Sequence, residues 1–367
     1  MKIVVSAVNF TEGGPLTVLR ECLAAGRQLF GSEVELIALV HSADLVAIKG
    51  VRTIEFRRAK SSWFRRVYLE YHYFRKLARQ IRPDFWFSLH DVTPLLDDVP
   101  QAVYCHNPVP FFRPTLRDVW LDPTLLAFRF LYGLFYRFNI GSNRSVVVQQ
   151  QWLRSAFERR YRAANVIVAH PGVADLHRAS DKAAPSGKLI LFYPTVPRGF
   201  KNVEVLCEAM ALMPPTLTRS VELRITIVGT ENRYARWLYR RYKGVAGISF
   251  VGRQDRVAMA RHYADCGALV FPSRLETWGL PITEAKQAGK PMIVAEAPYA
   301  REAVGNHDRV QFTDPTNASA WARAIVAASE GSPGWGPAQY DVPAAPYAPD
   351  WTALWKMLVP EAVSMTE

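Results

Sequence analysis

Phe271-Pro-Ser-Arg-Leu-Glu276-Thr-Trp-Gly-Leu-Pro-Ile-Thr-Glu284-Ala285 carries the strongest chemical signal in the chain. The apolar run ending at Phe271 reads as a buried strand. Gly279 and Pro281 punctuate a loop, and a helix containing Glu284 opens there. Gly279 permits close approach of backbone to a ligand. N–H groups at such a helix start face an anion, and the helix dipole favours it. Glu276 and Glu284 would grip two different parts of one elongated ligand. Neither has to be a general base, because a carboxylate also accepts two hydrogen bonds from a sugar diol.

Strand-like and helix-like stretches alternate outward from this segment to both ends. Strands are expected at 2–8, 34–40, 84–89, 101–105, 146–149 and 166–169, with helices at 16–30, 64–80, 123–138 and 151–160. The pattern restarts with strands at 188–193, 224–228, 248–251, 268–271 and 292–294. The helices of this second series fall at 204–213, 233–243, 256–265, 280–289 and 318–328. Short apolar runs separated by helices predict parallel sheets covered on both faces. The fold class is therefore α/β, with two doubly wound, Rossmann-like domains facing a cleft, where a ligand is expected. The expected division is a first domain over 1–172, a linker over 173–187, a second domain over 188–345 and a tail over 346–367. Five prolines between 332 and 350 exclude a helix or central strand there. They lead to a last helix, 351–358, expected to cross back to the first half.

Composition narrows the class. The 367 residues are 49% hydrophobic and 21% charged, which excludes disorder and fibrous repeats. The four cysteines form no CxxC pair, so zinc-ribbon and thioredoxin-type sites lack a motif, and a reducing compartment is expected. The first apolar run is too short for a signal peptide. The longest apolar candidate, 119–140, is interrupted by Asp122, Arg129 and Arg137, so no membrane span is expected. The net charge is +12, and residues 51–82 hold ten Lys/Arg against Glu55 and Glu70, with seven aromatics interleaved. Such a stretch suits an anionic lipid surface or, less well, a nucleic acid.

The opening segment resembles the E-x7-E element of retaining GT-B glycosyltransferases, in particular glycosyltransferase family 4 (glycosyl transferases group 1). Pro-Ser before Glu276, Gly-Leu-Pro after it and Glu-Ala at 284–285 extend the match. The resemblance is dense over 189–315 and thinner before it. It implies that Glu284 binds the ribose diol of a nucleotide-sugar. Glu276 and the backbone of Thr277, Trp278, Gly279 and Leu280 would hold the sugar and phosphates. The Gly13-Gly14 turn falls where the family places a glycine loop near the diphosphate. His106, at a strand's carboxyl end, matches a family histidine lying against the transferred sugar, with His90 as runner-up. Lys201, followed by Asn202, matches the family's diphosphate-neutralising lysine. The family's arginine commonly lies five residues earlier, where this chain has Val196, and Arg198 is the nearest substitute. Gly229 ends a strand as in the family, and Arg253 is placed near the donor base.

The implied activity is retaining transfer of a hexose from GDP-mannose or another nucleotide-sugar. The second domain would hold the donor and the first the acceptor. No metal or other cofactor is implied, in keeping with the absence of D-x-D, and no Walker A, G-x-S-x-G or H-E-x-x-H motif competes. The basic, aromatic first half suggests a cytoplasmic enzyme peripheral on the inner face of a bacterial membrane. Its acceptor would be a lipid-linked glycan or oligosaccharide of lipopolysaccharide, capsule or exopolysaccharide synthesis, with no nucleic-acid partner. The rival readings are a nucleotide-sugar epimerase on the same fold and a non-catalytic basic protein that binds nucleic acid.

Overall fold

A computed structural model describes residues 1–172 and 187–364. Nearly all of the expected linker, 173–186, lies outside the described residues. The chain forms two compact units.

The first unit contains β1 (Lys2–Ala7), β2 (Glu35–Val40), β3 (Val51–Glu55), β4 (Phe85–Ser88), β5 (Gln101–Cys105), β6 (Ser145–Val148) and β7 (Val166–Ala169). The second contains β8 (Leu189–Tyr193), β9 (Val221–Ile225), β10 (Ile248–Phe250), β11 (Ala268–Phe271), β12 (Met292–Ala295) and β13 (Val310–Thr313). The chain then returns to the first sheet and adds β14 (Tyr347–Ala348) in parallel beside β7.

The first sheet has the order β14-β7-β6-β5-β4-β1-β2-β3 and the second β10-β9-β8-β11-β12-β13. All the strand pairings within them are parallel. Each sheet is thus wound outward in both directions from its first strand. The order reverses between β1 and β4 in one and between β8 and β11 in the other. In doubly wound sheets, the crevice at the carboxyl ends of those two strands is where ligands bind.

The runs Ile3-Val4-Val5 and Leu36-Ile37-Ala38-Leu39 are buried on both faces, as parallel strands between helices require. On one face, Val5 and Ala38 pack with the long helix Gly13–Phe30 and the C-terminal helix Trp351–Leu358. Trp355 anchors that helix between Phe30 and Phe87 and donates its indole N–H to the Cys22 carbonyl at 2.9 Å. On the other face, Val4 and Ile37 meet Phe74, Leu77 and Trp86.

Three differences from the sequence reading have local causes. Residues 51–55, read as part of a basic surface, form β3, whose side chains are only partly buried. The strand expected at 224–228 is Val221–Ile225, because the Val228 and Gly229 amides turn to the Glu231 carboxylate at 2.6 and 2.8 Å. The segment Phe111–Arg129, assigned above to the first domain, packs with the second unit. Ion pairs Arg117–Glu204 (2.6 Å), Asp118–Arg274 (2.6 Å) and Asp122–Arg198 (3.1 Å) hold it there.

Candidate functional site

At the switch point of the second sheet, the loop after β8 carries Arg198 and Lys201, and the loop after β11 carries Arg274 and Glu276. Lys201 Nζ lies 2.5 Å from Glu276 Oε1, and both side chains are mostly buried. The two loops are bound together around that pair. Asn202, in the left-handed conformation (φ 57°), donates to the Pro272 carbonyl at 3.1 Å and to Pro315 at 2.7 Å. The Arg274 amide donates to the Phe200 carbonyl at 2.8 Å. Its guanidinium donates to the Gly199 carbonyl at 2.8 Å and to Asp118 Oδ1 at 2.6 Å. A Cβ at Gly199 would lie 2.7 Å from that same carboxylate oxygen, so only glycine fits.

Gly279 takes φ 89° and is the N-cap of the helix Leu280–Gln287. A β-carbon is disfavoured in that conformation, so glycine lets the loop turn directly into the helix. Trp278 is buried and donates its indole N–H to Thr283 Oγ1 at 2.8 Å, bracing the turn. Thr277 and Leu280 are half-exposed beside it. Inside the helix, Glu284 accepts from the Tyr263 hydroxyl at 2.6 Å. Burial raises the Glu284 carboxyl above its ordinary value, while Tyr263 and the charge of Arg256 act in the opposite direction.

Arg198 is drawn to Asp122, whereas Lys201 points to Glu276, so the two expected cations engage different carboxylates. Gly229 has both its own amide and that of Val228 occupied by Glu231. Gly252 packs against Val228, which brings the loop carrying the exposed Arg253 beside the Gly229 turn. Sequence reasoning missed Arg274, Asp118 and Tyr263. Arg274 stood inside the decisive motif, but its partner is 156 residues away.

The first unit has its own switch-point site. The loop after β1 carries Gly13 and Gly14 at the start of the helix Gly13–Phe30, the loop after β4 carries His90 and Asp91, and the loop after β5 carries His106. Asp91 organises these loops. Its Oδ1 accepts from the His106 amide (2.8 Å), the Asn107 amide (3.0 Å) and the Tyr136 hydroxyl (2.6 Å). Its Oδ2 lies 3.3 Å from His106 Nε2, and the His106 ring rests 5.3 Å from that of Phe10.

His90 behaves differently. It is 1% exposed, with Nε2 3.0 Å from Ser6 Oγ and 3.4 Å from Glu70 Oε1. Burial, reinforced by the charge of Arg66, holds it well below the ordinary histidine range. Glu70, also 1% exposed, sits in a π-helical turn, Leu69–Tyr73, and burial pushes its carboxyl up to about 8. No motif marks this acid, which stands out only by its isolation in a basic stretch. Among the described residues, no group of three or more His, Cys, Asp or Glu side chains could hold a metal ion.

Two doubly wound parallel sheets with loops of this kind define a GT-B architecture. Residues 174–333 match the family described as "Glycosyl transferases group 1". No curated protein matches the sequence. Solved structures share the fold over nearly the whole chain. Sucrose-phosphate synthase from Thermosynechococcus elongatus is 16% identical over 99% of this chain and 94% of that one, with a TM-score of 0.64. WaaG, a glycosyltransferase involved in lipopolysaccharide biosynthesis, is 13% identical over 99% and 95%, with a TM-score of 0.64. Anabaena Alr3699/HepE in complex with UDP-glucose is 15% identical over 100% and 99%, with a TM-score of 0.59.

Proposed function

We propose that this protein is a retaining, metal-independent glycosyltransferase that moves a hexose from a nucleotide-sugar to a lipid-linked glycan. The observation that carries this reading is the Lys201–Glu276 pair at the switch point of the second sheet, where the loop of Glu276 runs into the helix that holds Glu284 on its Tyr263 support. Glu284 accepts the ribose diol. Tyr263 occupies one of its oxygens, leaving acceptor positions for two hydroxyls. The leaving group is a diphosphate whose negative charge grows as the glycosidic bond breaks. Lys201 stabilises that charge, with Glu276 passing from the ammonium to the sugar's hydroxyls as the donor binds. His106, held in register by Asp91, is assigned to the transferred sugar. The diphosphate oxygen takes the proton of the attacking hydroxyl on the same face of the ring.

A membrane-bound acceptor fits the first unit's surface. Trp63 stacks on Phe135 at 4.7 Å, joining two helices whose outward side chains include Phe64, Phe130 and Phe138, exposed by 89%, 70% and 69%. Arg65 and Lys76 lie in the basic stretch that holds Phe64, where Arg75 and Arg79 are paired with Asp97. Aromatics with cations suit an anionic headgroup layer, and no helix of the described residues is long and apolar enough to cross a membrane. Co-sedimentation with vesicles at low salt tests this surface: binding to anionic but not neutral lipid is expected, and equal binding to both removes its support. The donor site is tested by transfer from GDP-mannose and the UDP-hexoses to a lipid-linked glycan. One donor should be consumed with the anomeric configuration retained, and failure of all of them defeats the reading.

A further inference from the structure

We infer that Asp118 is a positioning residue for sugar transfer, which acts through Arg274 to set the two loops that carry Lys201 and Glu276. This deepens the glycosyl-transfer reading and rests on it for the roles of those two side chains. Asp118 works at one remove, since its ion-pair partner is Arg274 while Lys201 and Glu276 pair with each other. It belongs to the strap 111–129, which lies between β5 and β6 in the chain and packs with the second unit.

The strap grips both loops at two points. Phe112, which is buried, packs edge-on against the Phe200 ring at 5.9 Å, and the Arg274 guanidinium lies over it at 5.2 Å. Phe200 in turn lies 5.6 Å from Lys201 Nζ. The second point is Asp118, 2% exposed and fixed by a capping box at the start of the helix Leu116–Leu121. Its amide donates to Thr115 Oγ1 at 3.2 Å, and its Oδ2 accepts from the Thr115 amide and hydroxyl, each at 2.8 Å. Oδ1 meets Arg274 at 2.6 Å.

Arg274 joins the loops, its amide bonding the Phe200 carbonyl and its guanidinium the Gly199 carbonyl, each at 2.8 Å. After Lys201 the chain is held without the strap: the Tyr193 hydroxyl donates to the Lys201 carbonyl at 2.6 Å, and Asn202 reaches the Pro272 carbonyl. Before Lys201, the turn Gly199-Phe200 is held by Arg274. A guanidinium only 15% exposed keeps a fixed place while its charge is matched, and Asp118 supplies the match. Position 199 bears the mark of that carboxylate. Gly199 lies outside the left-handed region, and the three atoms nearest a Cβ there all belong to Asp118, the first at 2.7 Å. Lys201 has to meet a charge that grows in the transition state, and a displacement of about 1 Å costs up to about a hundredfold in rate, so a drift of this turn is felt in turnover.

Steady-state transfer by the full chain, from whichever sugar nucleotide the wild type consumes and well below the Tm of each variant, tests the proposal. Asp118→Asn should lower kcat about fivefold and leave donor KM within about twofold. Gly199→Ala, which forces the carboxylate off Arg274, should do the same. In an Asp118→Ala background Gly199→Ala should cost nothing further, because its obstacle is gone. Arg117→Gln, which instead releases the strap from Glu204, should lower Tm and leave kcat within about twofold. Wild-type kcat in Asp118→Asn, additive losses from Asp118→Ala and Gly199→Ala, or an equal loss in Arg117→Gln would each overturn the assignment; the last would make the strap a general brace. A wild type that consumes no sugar nucleotide would defeat the donor reading and this role together. An active wild type with unchanged Asp118→Asn kinetics would defeat this role alone.

Discussion

The two switch-point sites are built on the same sheet topology and treat charge in opposite ways. At the second, Lys201 is matched by Glu276 and Arg274 by Asp118, and the two loops are tied by backbone bonds. At the first, Arg66 and Lys60 form no ion pair among the described residues although Glu12 and Asp91 line the same cavity, and Glu70 lies buried without a hydrogen bond. The difference teaches that position in a doubly wound fold selects where a ligand binds, whereas the charge balance there selects its kind. On the proposed reading, a site already neutral internally must exchange partners to receive a diphosphate.

The largest expected effect concerns the first site. Glu70 carries a folded-state pKa of about 8 against an ordinary 4.5. Between those values the folded protein keeps a proton that the unfolded chain has released. That stabilisation is complete below about 4.5 and is lost as pH rises through 8. Glu70→Gln mimics the protonated acid, so its stability relative to wild type should climb by a few kcal/mol between pH 5 and pH 9 in denaturant titrations. His90, whose pKa is lowered, contributes the opposite trend only as pH falls below 6.5, so the rise above pH 7 belongs to Glu70. Parallel curves for the two proteins would mean that Glu70 is ionised and compensated, and the contrast between the sites would vanish.

Next in size are the donor-site variants. Lys201→Ala and Glu284→Ala should each lower transfer at least tenfold, since each removes a charge-assisted contact of about 1.5–3 kcal/mol. Lys201→Ala should act mainly on kcat and Glu284→Ala mainly on donor KM, because one contact grows in the transition state and the other is made on binding. Wild-type rates in both would dissolve the assignment.

The smallest effect is expected at the tie between loops. Burial alone would raise the Asp118 carboxyl, but bonds from Arg274 and Thr115 outweigh it and hold the pKa below its ordinary value. The sign is that of a paired acid: its contribution is present above about pH 4 and is lost as pH falls through the folded value. Asp118→Asn keeps the shape and one acceptor, so it should lower stability at pH 7 by about 1 kcal/mol and leave stability near pH 2 unchanged. A difference that persists undiminished at acid pH would show that Asp118 acts through packing and not through charge.

Much of this was legible in the sequence, and the limits have physical causes. The central strands announced themselves because parallel strands buried on both faces must be continuous apolar runs, as in 268–271 and 146–148. β3 and β13 lie at sheet edges with half-buried faces, so Arg52, Glu55 and Gln311 disguised them. The donor-site motif is contiguous, which made Glu276 and Glu284 readable. The first site is assembled from residues 10, 66, 70, 90, 91 and 106, and no spacing rule links them. The membership of 111–129 in the second unit was hidden for the same reason, since the ion pairs of Arg117 and Asp118 reach 87 and 156 residues along the chain.

The central claim is that Glu276 and Glu284 clasp an activated sugar at the second sheet's switch point. Thermal-shift titration of wild type and Glu284→Ala with UDP, GDP, dTDP and ADP and their hexose conjugates tests it most directly, because a ligand bound only to the native state raises Tm by mass action. One base series should raise the wild-type Tm by several degrees, more with the sugar attached, and leave Glu284→Ala unmoved. No shift with any sugar nucleotide, or equal shifts in both proteins, would contradict the account.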